Sequence, residues 1–235
     1  MALYWQKYAD AKPQWPLTPN SFDKTRRAFD TFGHALKVYE NIRLNDPTGP
    51  RADDALMATA TAYFMRGRYE DADYHFDLLR REYPKSEHQF EAHLLGLQCK
   101  LRKYQGPDYD GKALEKAEKL SEQLLMQFPD KIDKERDRIT KMRAEVAAQR
   151  ALRNWKMAEY YAKGSHYGAA KHYYQKLIET HPETKLAEQA RTELDKIGKL
   201  PDEPPQRLEW LVNLFPESDE MAAVATAPAS DTTRR

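Results

Sequence analysis

One cysteine in 235 residues leaves nothing for an internal disulfide to join. That residue, Cys99, falls on an expected helix at a core position, which reads as an inert buried thiol rather than a nucleophile. Glycine is scarce, at nine residues, and alternating Val-rich runs are few, so a sheet protein is disfavoured. No stretch approaches the ~18–20 apolar residues of a membrane span. Charge of one sign is missing as well. The formal net charge is +1, and runs such as Lys131 to Arg138 interleave both signs, the pattern of a solvated helix face. Nucleic acid is therefore not an expected partner. A Gly-rich phosphate loop, a cysteine pair and a His-Glu-x-x-His run are all lacking. Seven histidines are present, but His88 and His93 stand five apart, off the i, i+4 spacing of a helical metal site. No catalytic constellation, metal site or cofactor is expected.

What is there is a repeat. Ala35, Tyr39, Ile42 and Pro47 have the same internal spacing (4, 3, 5) as Ala72, Phe76, Leu79 and Pro84. Ala117, Ser121, Leu124 and Pro129 repeat it, as do Ala170, Tyr174, Leu177 and Pro182, at intervals of 37, 45 and 53 residues. Steps of four and three place alanine, a mostly aromatic residue and an aliphatic on one helical stripe. The alanine lets a neighbouring helix approach, and the proline stops the helix that carries the stripe. This is the second-helix half of the tetratricopeptide pattern, whose period is about 34 residues. First-helix positions match too: Leu56, Thr59, Ala60 and Tyr63; Ala92, Leu95, Gly96 and Cys99; Asn154, Met157, Ala158 and Tyr161. The expected fold is all-α, a tetratricopeptide-repeat solenoid of stacked antiparallel helix pairs.

The organisation reads as an N-terminal segment and Pro-rich linker over 1–20, then repeats over 21–200. A short amphipathic helix over 201–215 and a disordered tail over 216–235 follow. Expected helices cover 1–12, 22–44, 52–66, 69–82, 87–103, 112–127, 133–163, 167–180 and 184–198. The first of the four units lacks a convincing first helix and reads as a cap or a degenerate repeat. The 133–163 helix contains no proline or glycine and exceeds the ordinary repeat by a few turns.

In such a stack the first helix of each unit lines the concave face. The consensus frame puts Asp54, Met57, Thr61, Phe64 and Met65 there from one unit, and Phe90, His93, Leu97, Lys100 and Leu101 from the next. The last unit contributes Leu152, Trp155, Glu159, Ala162 and Lys163. A groove of this composition suits an extended or helical peptide with apolar anchors, with Met57, Thr61, Phe64, Met65, Phe90, His93, Leu97, Trp155 and Glu159 as its candidate contacts. A clamp for a C-terminal carboxylate needs Lys and Asn where Met57 and Thr61 stand, and is not expected.

The stretch Ala158-Glu159-Tyr160-Tyr161-Ala162-Lys163-Gly164-Ser165-His166-Tyr167-Gly168-Ala169-Ala170 resembles the late-repeat signature of the BamD family. These are helical-repeat lipoproteins of the outer-membrane β-barrel assembly machine. Pro182-Glu183-Thr184 and Tyr83-Pro84-Lys85-Ser86 are similar to that family's repeat endings, and the resemblance spans roughly residues 28–198. It implies a non-catalytic periplasmic scaffold whose N-terminal repeats receive unfolded barrel precursors and whose C-terminal repeats contact the barrel-forming core subunit. It also implies a lipid anchor at the outer membrane. Residues 1–8 have no basic region followed by an apolar run, and Cys99 lies inside a helix. The expectation is therefore a natural start upstream of Met1, or else a soluble cytoplasmic chain. A soluble repeat adaptor of another envelope or cytoplasmic process is the alternative.

Overall fold

The computed structural model describes residues 1–11, 19–20, 23–25 and 28–204. Among them there are nine helices and no strand. They are α1 (Ala2–Ala11), α2 (Thr31–Asn45), α3 (Ala52–Met65), α4 (Tyr69–Glu82), α5 (Gln89–Lys103), α6 (Lys112–Gln127), α7 (Pro129–Lys163), α8 (Tyr167–Thr180) and α9 (Lys185–Ile197). Each helix packs on the next, and α7 also touches α5 and α9. The result is a tetratricopeptide-like solenoid in which each unit contacts only its neighbours. The amphipathic helix expected over 201–215 and the tail beyond it lie almost wholly outside the described residues.

The four stripes are where the stack closes. Ala35, Ala72, Ala117 and Ala170 are each fully buried, and Tyr39, Phe76, Ser121 and Tyr174 lie beside them. The last part of the spacing has a specific cause. The residue before each proline donates its N–H to the carbonyl of the stripe's aliphatic residue: Asp46 to Ile42, Tyr83 to Leu79, Phe128 to Leu124 and His181 to Leu177. All four hold φ between −140° and −122° with ψ between 49° and 72°. The following proline excludes the α region for its predecessor and has no N–H to extend the helix. Five residues from aliphatic to proline is thus one closing hydrogen bond plus one residue. The Tyr83 hydroxyl also donates to the Pro47 carbonyl at 2.9 Å, tying one unit's end to the previous one.

Two turns between paired helices share another geometry. Arg68 N–H reaches the Tyr63 carbonyl around Gly67 (φ 70°), and His166 N–H reaches the Tyr161 carbonyl around Ser165 (φ 62°). The left-handed position is filled by Gly in one unit and by Ser in the other, with Gly164 one residue too early to occupy it.

The front of the stack differs from the sequence expectation. The second helix starts at Thr31, not near residue 22, because the Asp30 carboxylate caps it by accepting from Gly33 N–H at 2.9 Å. Before it, Asp23 accepts from Thr25 N–H, a local bond that competes with helix. Helix α1 is not detached. Its Ala2, Trp5 and Ala9 are buried, Gln6 Oε1 accepts from the Tyr39 hydroxyl at 2.8 Å, and Trp5 Nε1–H donates to the Thr25 carbonyl. Asp10 pairs with Arg66 at 3.3 Å, and that guanidinium lies over the Phe32 ring. So α1 serves as the partner that the first stripe-bearing helix otherwise lacks.

Candidate interaction surface

The nine groove candidates divide by depth. Met57, His93 and Leu97 are buried, at 7%, 4% and 0% exposure, and pack between helices. Phe64 packs edge-on to Tyr69, Phe90 edge-on to Phe128, and Trp155 against Tyr174. These three rings are half-buried and hold helix to helix. Glu159 is half-exposed and paired with Lys156 at 3.0 Å, and Thr61 is half-exposed too. Met65, at 72% exposure, is fully presented to solvent. The structure therefore distributes the candidates over three successive first helices (α3, α5 and α7), mostly as the layer beneath a surface.

His93 illustrates the difference. Its Nδ1–H donates to the Gln89 carbonyl at 2.7 Å, which fixes the neutral tautomer, and its ring packs edge-on to Phe128. Burial, with Arg80 nearby, lowers its pKa to about 4. Cys99 is wholly buried in α5, and burial, with Asp73 adding to it, pushes its thiol up to about 12. Such a thiol is neither a nucleophile nor an acceptor for lipid.

Lys100 holds a position that sequence reasoning misplaced. Its side chain is 4% exposed and donates to Asp73 at 2.6 Å, an equally buried carboxylate on α4, with Asp77 further off at 3.4 Å. Lys103 reaches the other Asp73 oxygen at 3.2 Å. Beside them Arg80 runs between α4 and α5, donates to the Ala92 carbonyl at 2.8 Å and pairs with Asp77. A Cβ at position 96 would meet the Arg80 guanidinium, so the repeat's consensus glycine makes room here for a charge. Nothing in the local pattern marks Asp73, one residue past the alanine of its stripe, as buried. The pairing spans 27 residues and forms only once α4 and α5 dock.

Near the start of α3 and α5, one ligand atom each from Asp54, Glu87 and His88 comes within 4.8 Å of the others, at the surface. His88 Nε2 lies 2.7 Å from Asp54, so this group ties adjacent units as an ordinary surface contact.

Residues 24–197 match the family YfiO, described as outer membrane lipoprotein. The chain belongs to this family. No individually curated protein matches it. The match to the YfiO family runs from just before α2 to the last residue of α9, so α1 lies ahead of it. Membership places the chain among proteins of the cell envelope. No helix among the described residues is long and apolar enough to cross a membrane.

Proposed function

We propose that the chain is a non-catalytic periplasmic scaffold of outer-membrane β-barrel assembly. In this reading it binds unfolded barrel precursors and the barrel-forming core subunit. The observation that carries this reading is the YfiO match across all the helices from α2 to α9. The stacked architecture supports it, because successive first helices present one long face on which an extended segment can lie. The exposed Met65 and the half-exposed Thr61 and Glu159 are the candidate residues of that face still open to a partner. Phe64 and Phe90 are held in ring contacts, so their truncation perturbs the stack as well as any binding.

The test is depletion of the protein in its native host, followed by the amount of folded, heat-modifiable barrel protein in the outer membrane. The expected result is a fall in folded barrels with precursors accumulating in the periplasm. Restoration by the wild type, but weaker restoration by Thr61→Lys with Met65→Glu, assigns the face. Unchanged barrel levels on depletion overturn the proposal.

A further inference from the structure

A cleft of about 830 Å³ opens between α4 and α6, with α5 as its floor, where it takes in two residues expected on the groove, His93 and Lys100. It exists because α5 packs on both α4 and α6, which leaves those two second helices apart. Its lining is strongly one-sided in charge: Arg80, Arg81, Lys100, Lys116 and Lys119 against Asp77. Arg80 and Lys100 are engaged by Asp77 and Asp73. Arg81, Lys116 and Lys119 are exposed and have no ion pair among the described residues. A helix dipole accounts for Arg81 in the last turn of α4. It does not account for Lys116 and Lys119, which lie beyond the first turn of α6.

A second hollow of about 380 Å³ continues the cleft and shares Lys100 and Lys116 with it. Lys103, Lys112 and Tyr104 line this extension together with Asp73 and Asp110, which pair with the two lysines, so the unpaired cations are those of the main cleft. The Tyr104 hydroxyl is buried there with no hydrogen-bond partner among the described residues. Gln123 and Gln127 add amide groups along the α6 wall.

We propose that this cleft is a docking site for an acidic, extended peptide segment of a partner protein. Charge complementarity selects the occupant. The unpaired cations come from two facing helices rather than converging on one point. That arrangement matches carboxylates strung along a chain better than a single compact anion. The amides can pair with a peptide backbone. Lys100 stays fixed at the floor through Asp73, so the site is formed before the segment arrives. The inference does not rest on the barrel-assembly reading, since it needs only the geometry of α4, α5 and α6.

The test uses the full chain and a fluorescein-labelled peptide of alternating Glu and Ser, with the alternating Gln and Ser peptide as its neutral counterpart. Binding is read by fluorescence anisotropy at physiological salt. Wild type is expected to bind the acidic peptide and not the neutral one. Lys116→Glu with Lys119→Glu is expected to weaken binding at least about tenfold. Lys134→Glu with Lys141→Glu, an equal charge change on the exposed face of α7, should leave it within about twofold. Equal losses in the two charge-reversal pairs would mean diffuse attraction and overturn the site, as would equal binding of the neutral peptide. Sedimentation of the wild type with phosphatidylglycerol vesicles, lost in the Lys116/Lys119 variant while peptide does not bind, would reassign the cleft to lipid and overturn the peptide proposal.

Discussion

At the residue scale, His93 and Lys100 show how this stack encloses titratable groups. His93 is neutral in the folded protein, with a pKa lowered to about 4 chiefly by burial, against an ordinary value near 6.5. Below pH 6.5 the unfolded chain takes up a proton that the folded chain refuses. Stability is therefore fully present above about 6.5 and is lost as pH falls toward about 4, by up to ~3 kcal/mol from this group. His75 and His181 are also lowered by burial and act in the same direction. Urea midpoints at pH 7, 5.5 and 4.5 should fall faster for the wild type than for His93→Gln. Parallel slopes would mean that His93 is not the enclosed neutral group the geometry describes. Lys100 is different in kind. Burial lowers its pKa, and the hydrogen bond and charge of Asp73 oppose that shift.

The elements were unequally legible. Second-helix registers were readable because three constraints coincide at fixed spacing: a small residue for close approach, a large one to fill, and a proline one residue past the closing hydrogen bond. Helix α7 was readable from a run without proline or glycine, and it proves to begin with Pro129 at its first position. The start of α2 was not, because Asp30 caps it from a left-handed conformation (φ 44°) that its residue type does not announce. The groove was only partly legible. Spacing fixes which residues lie on a first helix, but the angle between units decides which of them are covered, and here Met57, His93 and Leu97 are. Helix α7 also joins two cores. Ile139, Met142 and Val146 pack with α5 and α6, while Ala151 and Ala158 pack with α8 and α9. Ala148 sits between these segments and is exposed. Ala148→Pro removes one helical hydrogen bond and clashes with the preceding turn, at about 3 kcal/mol. Calorimetry should then show two resolved transitions where the wild type shows one. A single, merely lower transition would mean that the two cores do not depend on an unbroken α7 for their coupling.

At the scale of the whole molecule, a stack of this kind needs its terminal apolar faces covered. At the C-terminal end α9 covers α8, and Asp202 folds back to accept from Lys171 at 2.8 Å while its carbonyl accepts from Gly168 N–H. At the N-terminal end α1 covers Tyr39 and Ala55, with Leu36, Val38 and Ile42 alongside. Trp5→Asp should undock α1, leaving that face in water, and shift the protein toward concentration-dependent association in sedimentation velocity. A monomer with the wild-type melting temperature would show that α1 is not the cover.

The 35 residues of α7 make a rod of about 50 Å at the standard helical rise. Its two halves belong to different cores, so partners seated at either end would be held at a set separation and a set rotation about one axis. Lengthening or shortening that rod by a residue would change the distance by ~1.5 Å and the heading by ~100°. On the scaffold reading proposed above, the length of this one helix is then a spacing and an angle written into the chain.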